Sequence, residues 1–361
     1  MLRIAVLADA ESIHTRRWCQ HFSSAGFEVH LLSFKKASIQ GVHCHFIDAG
    51  NIKVAGGNWR FMLKGSLIKT LLKHIQPDVL HALYATSYGL AGALSGFHPY
   101  VVTPLGTDVL ISPNQSLIYR LALRYVFRKA DLVTSMAPHM TEAMLQLGLP
   151  QHKLTDVVLG INTDIFNRSA QHLPKDAFVV SSIRNLEPVY NLPHFFKAIA
   201  LVKPKIPNLQ VKVVGQGSLK EELMALCRDL NINDIVQFMG KVSQVEVVQL
   251  LNQSHVAVTV SLSDGNALSL LESMACGVYP IASDIPANRQ WVSDGVNGSL
   301  VKTNDVEGLA ATLEKVYATY PNIIGEVNKA CDAIIAEKGT WQVNMKKMAD
   351  WYHHLAKQKQ A

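Results

Sequence analysis

The feature that most constrains the fold of this 361-residue chain is an alternation of short apolar runs with helical patterns, which occurs in two successive stretches. The first stretch begins at Arg3–Leu7 and ends at Thr155–Val158, and the second begins at Phe178–Ile183 and ends at Ser299–Val301. Short apolar runs are typical of buried strands, and strands that alternate with helices at this spacing form parallel, doubly wound sheets. Because the chain is longer than a single hydrophobic core usually allows, we expect two α/β domains.

The two stretches are separated by a polar segment, residues 169–177, which is predicted to be a linker. Helices are predicted in the first stretch over residues 15–26, 61–75, 88–95, 116–129 and 138–147, and at the end of the chain over 340–358. The predicted strands are Arg3–Leu7, Val29–Leu32, His43–Ile47, Val79–Ala82, Tyr100–Thr103, Leu132–Ser135, Thr155–Val158, Phe178–Ile183, Leu209–Val214, Ile235–Phe238, Ala257–Val260, Tyr279–Ala282 and Ser299–Val301.

Composition narrows the class of protein. Apolar residues make up 48% of the chain and charged residues 17%, which is typical of a well-packed globular protein and not of a disordered one. The five cysteines are scattered without paired spacing, which argues against a disulfide framework and a zinc site and favours a reducing compartment. No run of eighteen apolar residues occurs, and the chain opens on a strand pattern instead of a signal peptide. We therefore expect a cytoplasmic protein.

The positive charge of the chain is unevenly distributed. Residues 1–170 contain 16 Lys and Arg against 10 Asp and Glu, a net charge of +6, and the remainder contains 18 of each. An excess confined to one half predicts an acidic partner for that half, such as an anionic membrane surface, a lipid phosphate or an acidic glycan.

The segment 263–277 indicates a ligand. It follows an apolar run, Val256–Val260, and leads into a helix that ends near Gly277. Asp264 lies in the loop and Glu272 on the helix, eight positions later. A helix N-terminus offers free N–H groups to a diphosphate, and a carboxylate accepts hydrogen bonds from ribose hydroxyls. The alternative is an ordinary strand–loop–helix unit with two solvated acids.

This segment resembles the signature of retaining nucleotide-sugar glycosyltransferases of family 4, acid-Gly-x-Gly-x-x-x-x-Glu-Ala-Met-Ala-x-Gly. The chain has Asp264–Ala267 and Glu272–Gly277 at the matching positions, with Asp for the usual Glu and Ala267 for the second Gly. The resemblance covers nearly the whole chain. It implies an α/β protein of the GT-B fold, with two doubly wound Rossmann-like domains that face a central cleft.

The resemblance also implies a separate role for each part of the chain. Residues 1–168 would bind the acceptor, 169–177 would link the domains, 178–338 would bind the nucleotide sugar, and 339–361 would form a helix that crosses back to the N-terminal domain. Asp264 would face the breaking bond and hold donor-sugar hydroxyls, Glu272 would bind the ribose, and the backbone N–H groups of Asn266, Ala267 and Leu268 would contact the diphosphate.

Further donor contacts are implied on two other loops. Gly215 and Gly217 match a family Gly-x-Gly that lets the backbone approach a phosphate or base, and a lone Gly-x-Gly otherwise indicates only a tight turn. Met239 lies in a segment that resembles the loop contacting the nucleobase.

The segment 182–191 departs from the family pattern Gly-Arg-Leu-x-Pro-x-Lys, whose Arg and Lys neutralise the leaving pyrophosphate. Aligned on Leu186 and Pro188, the chain has Asn185 and Tyr190 at those two positions, and Arg184 lies one position early. Arg184 is the cation expected to reach the phosphates if the loop differs in geometry. The alternative is that it is a surface residue.

The first half contributes residues at three strand ends. His14 and Arg16 lie in a Ser-Ile-His-Thr-Arg-Arg-Trp segment that resembles a subset of the family and would contact donor phosphates or acceptor; a capping loop with a solvated histidine is the alternative. Asp108 matches the acid of a family His-Gly-x-Asp near the transferred sugar, with Leu105 in the His place. His81 is more simply explained as a packed strand-end residue.

Two segments combine apolar and basic residues at helical spacing, 58–73 and 119–129. Such helices bind anionic membranes or are ordinary surface helices. The sequence thus predicts a retaining hexosyltransferase with a UDP- or GDP-sugar donor and a glycan or lipid-linked acceptor, and the positive charge of the first half favours an anionic one. No metal, other cofactor or nucleic acid is expected, and the protein would lie in the cytoplasm, with peripheral contact to the inner face of the membrane as one option.

Two other classes stay open. One is a non-catalytic nucleotide-sugar-binding partner of another transferase, which the missing Arg/Lys pair suggests. The other is a nicotinamide dehydrogenase, which is disfavoured because no Gly-x-Gly-x-x-Gly follows the first strand.

Overall fold

The computed structural model describes residues 1–48, 64–169 and 172–360, the last without its side chain. The chain divides into two compact units, Met1–Val157 with Met345–Ala361, and Val158–Asn344. The first unit therefore ends before the expected boundary at residue 168. The reason is local: the Val158 N–H donates to Asn344 Oδ1 (3.1 Å) and the Ile161 N–H to Gly339 O (2.9 Å), so this stretch pairs with residues near the end of the second unit.

The first unit contains a parallel sheet of seven strands within the described ranges, in the order β3-β2-β1-β4-β5-β6-β7. The strands follow the apolar runs because both faces of a parallel sheet are covered by helices. Their bounds are β1 (Arg3–Leu7), β2 (Glu28–Ser33), β3 (His43–Phe46), β4 (Val79–Leu83), β5 (Tyr100–Thr103), β6 (Leu132–Ser135) and β7 (Leu154–Asp156).

The helices of this unit connect the strands. They are α1 (Ile13–Ser24), α2 (Gly65–Ile75), α3 (Tyr88–Ser95), α4 (Thr107–Leu110), α5 (Ser112–Gln115), α6 (Leu117–Lys129) and α7 (Pro138–Gln146), with a 3₁₀ turn at Gln151–Lys153. The predicted helix over 61–75 begins at Gly65 in the described residues, and its first positions lie outside them.

The described residues of the second unit repeat the architecture with six parallel strands in the order β10-β9-β8-β11-β12-β13. The strands are β8 (Phe178–Ile183), β9 (Leu209–Val214), β10 (Val236–Gly240), β11 (Val256–Thr259), β12 (Tyr279–Ser283) and β13 (Ser299–Val301). The helices are α8 (Leu192–Val202), α9 (Lys220–Asp229), α10 (Gln244–Leu251), α11 (Leu268–Ala275), α12 (Pro286–Arg289) and α13 (Val306–Ile334), followed by a π-helical turn at Ile335–Gly339.

The last helix, α14 (Trp341–Gln360), belongs from Met345 onward to the first unit. A buried polar network fixes it there. The Tyr352 hydroxyl accepts from Trp18 Nε1 (3.0 Å) and bonds His81 Nδ1, and His81 Nε2 lies 2.8 Å from Thr103 Oγ1. Burial lowers the pKa of His81 to about 3, so the ring is neutral. His81 is thus a packed core residue.

Among the described residues, no helix has the length and apolarity required to cross a membrane.

Candidate functional site

The strand order of the second unit creates a point where loops diverge. β8 and β11 are neighbours, yet the chain leaves β8 towards β9 on one side and leaves β11 towards β12 on the other. Ligands of open α/β sheets bind outside the carboxyl ends of strands at such a point. Arg184 directly follows β8, and Asp264 lies in the loop after β11. The two predicted site residues therefore leave the sheet at the same edge.

Arg184 is held by three partners. Its Nη2 donates to Asp264 Oδ2, its Nη1 donates to Ser269 Oγ (2.9 Å), and its Cζ lies 4.2 Å from the ring centroid of Tyr190. The Arg184 and Asp264 side chains are only 9% and 15% exposed. The alternative of a surface arginine is therefore wrong. Buried Nε is the one guanidinium nitrogen for which the described residues provide no hydrogen-bond partner.

The polar groups of the loop that carries Asp264 form hydrogen bonds within the loop and to neighbouring residues of the second unit. The Asn266 N–H donates to Asp264 Oδ1 (3.2 Å), and the Leu268 N–H donates to Asn266 O (2.9 Å). The Asn266 side chain donates to Leu159 O (2.9 Å) and accepts from Trp291 Nε1 (2.9 Å). The expectation of open N–H donors from Asn266 to Leu268 is corrected, because two of these three groups are engaged in the turn. Ala267 is fully buried.

Glu272 lies one turn into α11 and is half-buried. It is three positions after Ser269, so the two side chains occupy neighbouring positions on one side of the helix. Burial, and then the Glu272 charge, raise the pKa of the Cys276 thiol to about 12. Because Ser269 contacts Arg184, the helix presents Glu272 on the side that faces the arginine loop.

The two glycines of the Gly-x-Gly segment have a packing role. A Cβ on Gly215 would lie 2.1 Å from Arg184 O, and one on Gly217 would lie 2.2 Å from Leu186 O. Gly215 also has a φ of +146°, which side chains disfavour. The backbone that approaches these glycines is therefore the chain's own Arg184–Leu186 loop. The approach of a phosphate or base to this segment stays a prediction.

Met239 is the extra residue of a β-bulge. β10 pairs with β9 through Phe238 opposite Val213 and Gly240 opposite Val214, which leaves Met239 without an opposite residue. Bulges at edge strands re-aim a side chain, and Met239 is half-buried at the carboxyl end of the strand. The bulge was not evident from sequence.

In the first unit the order reverses between β1 and β4, and the loop after β1 leads to His14 and Arg16. His14 is half-buried near the start of α1, whereas Arg16 is exposed and its Nε donates to Ala10 O (3.2 Å). Ser12 is the N-cap residue of α1, as the alternative expected, but its side chain makes no capping hydrogen bond.

Sequence reasoning missed Tyr84, which follows β4 at the same reversal. Its φ is +83°, a rare conformation for a bulky residue, and its hydroxyl lies 3.1 Å from Thr107 Oγ1. Strained residues of this kind cluster at functional sites. The only signal in the sequence was its position at a strand end.

Asp108 does not have the environment expected of a residue facing a sugar. It is fully buried, and its carboxylate accepts from the N–H groups of Ala85 (2.6 Å), Leu105 (3.1 Å) and Gly106 (2.9 Å). Burial raises the pKa of Asp108 to about 6, against the opposing effect of these hydrogen bonds. Asp108 therefore ties the loops after β4 and β5 together, and its expected catalytic placement is corrected.

Family models of known proteins match both units of the chain. A family model described as glycosyl transferases group 1 matches residues 164–332, within the second unit, and one described as glycosyl transferase 4-like matches residues 3–137, within the first. The N-acetyl-alpha-D-glucosaminyl L-malate synthase of Bacillus anthracis is 26% identical over 245 residues, 64% of this chain and 63% of that protein. This chain spans 39–63% of the length of the curated relatives that it matches.

Solved structures match in fold over almost the whole chain, and two of them illustrate this. Sucrose-phosphate synthase from Thermosynechococcus elongatus has a TM-score of 0.84 at 19% identity, with 98% of this chain and 99% of that chain covered. HepE from Anabaena, solved in complex with UDP and glucose, has a TM-score of 0.81 at 16% identity, with 98% and 100% covered. These likenesses confirm the two-domain α/β fold of GT-B type. With a family model matching each unit, the chain belongs to the group 1 glycosyltransferases of the family 4-like type.

Proposed function

We propose that this chain is a retaining glycosyltransferase that moves a hexosyl unit from a UDP- or GDP-sugar to an acceptor hydroxyl, in the synthesis of a cell-surface glycan, polysaccharide or glycolipid. The observation that carries the proposal is the Arg184–Asp264 pair at the reversal point of the second sheet, with Glu272 on the adjacent helix. Group 1 family membership and relatives named as glycosyltransferases support it.

Each residue has a role that its chemistry allows. Arg184 would stabilise the negative charge that develops on the departing diphosphate, since a fixed cation in a site with little water acts strongly on developing charge. Asp264 would accept hydrogen bonds from donor-sugar hydroxyls, and Glu272 would accept two from the ribose. We propose that no metal takes part in transfer, because the arginine supplies the positive charge that a metal would otherwise provide.

The ion pair implies an exchange on donor binding. The Asp264 carboxylate already neutralises Arg184, so the diphosphate would compete with it for the guanidinium. Arg184 can serve both because the guanidinium has five N–H donors, and its hydrogen bonds to Asp264 and Ser269 use only two of them. Tyr190 lies against one face of the guanidinium and would hold its plane during the exchange.

The acceptor is proposed to be anionic or displayed on an anionic surface. On α6, Arg120, Arg124 and Arg128 recur every fourth residue and are exposed. Beside them Leu117 and Ile118 are 69% and 56% exposed. Basic and apolar side chains exposed on one helix favour contact with an anionic membrane. This supports a cytoplasmic protein at the inner face of the membrane. In the other predicted basic segment, 58–73, residues 58–63, including Arg60, lie outside the described residues.

The test is calorimetric titration of the chain with UDP, GDP, their hexose conjugates and NAD, followed by transfer assays in which the anomeric configuration of the product is determined by NMR. We expect one nucleotide sugar to bind and its configuration to be retained. Binding of none of the sugars, with binding of NAD, would support a dehydrogenase. Donor binding without transfer or hydrolysis would support the non-catalytic partner, and an inverted product would overturn the retaining mechanism.

A further inference from the structure

A cluster of histidines lies on the first sheet, apart from the strand ends considered so far. β2 and β3 pair in parallel with His30 opposite His43 and Leu32 opposite His45. Glu28 and His30 are two positions apart on β2, so they point to the same face of the sheet. Strand pairing therefore brings three imidazoles and one carboxylate together, although 13 positions separate His30 from His43 (43 − 30 = 13).

The polar atoms of this cluster lie close enough to share an ion. One ligand atom from each of Glu28, His30 and His43 lies within 4.8 Å of the other two. His30 Nε2 is 3.0 Å from Glu28 Oε1, and the His30 and His43 ring centroids are 4.8 Å apart. Around a tetrahedral zinc ion with bonds of about 2.0 Å, ligand atoms are about 3.3 Å apart. The cluster approaches this spacing before any ion is added.

The remaining histidine of the cluster, His45, forms a hydrogen bond with His30. His30 Nδ1 lies 3.0 Å from His45 Nε2, so one ring donates a hydrogen bond to the other. A metal-binding histidine commonly donates its second ring N–H to an acceptor, which fixes the tautomer and the ring orientation. Without a metal, the His30 Nε2–H donates to Glu28. A metal ion would replace that proton, and His30 could keep its remaining proton on Nδ1 and donate it to His45 Nε2. His30 is only 9% exposed and so is held in place.

We propose that Glu28, His30 and His43 form a binding site for a divalent transition metal ion, with zinc as the ion that this ligand set fits best and His45 as the residue that orients His30. Two imidazoles and one carboxylate are typical zinc ligands, and water would complete the coordination. His43 is exposed, and rotation of its ring would bring its nitrogen into the site. The absence of paired cysteines had argued against zinc, but imidazole and carboxylate ligands on two strands leave no such spacing.

One neighbouring group, the Arg3 guanidinium, would compete with the metal ion for Glu28. Arg3 Nε lies 2.8 Å from Glu28 Oε1 and competes for that oxygen. The hydrogen bond from His30, and after it the one from Arg3, hold the pKa of Glu28 below its usual value. Arg3 would keep one oxygen and the metal would take the other, which makes the site weaker than an uncontested one. We therefore expect selective but moderate affinity.

The test is titration of the full chain with Zn²⁺ at neutral pH by calorimetry, repeated with Co²⁺ to record the absorption bands of a tetrahedral site. We expect one saturable site per chain, a higher thermal midpoint with Zn²⁺, and at least a tenfold loss of affinity in both His43→Ala and Glu28→Gln. His98→Ala is the matched control, because it removes another histidine of the same unit that contacts a carboxylate, at 2.8 Å from Asp131. Its zinc affinity should equal that of the wild type.

Two results would overturn the proposal. One is the absence of saturable binding to the wild-type chain. The other is equal affinity in the wild type and in a variant of the cluster that remains folded by circular dichroism. The glycosyltransferase proposal does not enter this test, because the site uses none of the residues assigned to transfer.

Discussion

Replacement of Arg184 by alanine tests the proposed donor site most directly. The side chain makes charge-assisted hydrogen bonds to Asp264 and Ser269, and the proposed function gives it one or more to the diphosphate. A hydrogen bond to a charged group contributes about 1.5–3 kcal/mol. Loss of that contact should raise the dissociation constant for UDP or GDP by about 10- to 150-fold. The Asp264 carboxylate, no longer bonded to Arg184, would repel the diphosphate and act in the same direction.

The measurement is calorimetric titration with the nucleotide at low ionic strength, after the thermal midpoint shows that the variant is folded at the assay temperature. Some loss of stability is expected, because Asp264 is 15% exposed and would lose its cation. Arg289→Ala is the matched control, since Arg289 makes a similar pair with Asp284 on the exposed surface of the same unit (2.6 Å). Tyr190→Phe keeps the ring that lies against Arg184. Both controls should bind nucleotide within about twofold of the wild type. Unchanged affinity in Arg184→Ala would remove Arg184 from the site.

Four further predictions test other parts of the structure. Glu272→Ala should abolish donor binding, or lower transfer by orders of magnitude, without unfolding the protein. The control is Glu326→Ala, which removes an exposed carboxylate on α13 and should change neither donor binding nor transfer. Transfer by Glu272→Ala at the wild-type rate would contradict the motif assignment. Gly217→Ala should lower the free energy of unfolding by about 1–3 kcal/mol in urea, because its Cβ would meet the Leu186 carbonyl, and a neutral effect would show that the loop is not held there. The pKa of Asp108 is about 6 in the folded protein against 3.8 for the ordinary residue, so the folded state binds the proton more tightly. As pH falls from 7 to 4, the free energy of unfolding of the wild type should therefore rise relative to that of Asp108→Asn, by at most about 3 kcal/mol. A difference between the two proteins that stays constant with pH would refute this. Sedimentation with anionic vesicles should fall steeply from 0.1 to 1 M salt and in a variant lacking Arg120, Arg124 and Arg128, while equal binding to neutral vesicles would leave α6 an ordinary surface helix.

The strands could be predicted from sequence because parallel strands are buried on both faces and appear as continuous apolar runs. Arg3–Leu7, Phe178–Ile183 and Leu209–Val214 were predicted to the residue for this reason. The short helices α4 and α5 were not predicted, since four-residue helices carry no periodicity. The boundary at Val157 was missed because it depends on hydrogen bonds to residues near 340.

The site was harder to predict because a motif gives the type of a residue and its strand end, but not its partners. Asp108 has the expected position, yet three N–H groups from two loops surround its carboxylate. Gly215 and Gly217 were expected to permit the approach of a phosphate or base, and the group that the structure shows against them is the backbone of Arg184–Leu186. Arg184, whose register departs from the family pattern, is the cation that does contact Asp264.

The hydrogen bond between Trp18 and Tyr352 has a consequence for the order of folding during synthesis. The first unit needs residues from both ends of the described chain, whereas Val158–Asn344 is continuous. Until residue 352 has left the ribosome, Trp18 and His81 lack their hydroxyl partner and part of the first core lacks its cover. Domains usually fold in the order in which they are made. Here the unit that is begun first is completed last, so the growing chain depends on the second unit to fold on its own while the first waits.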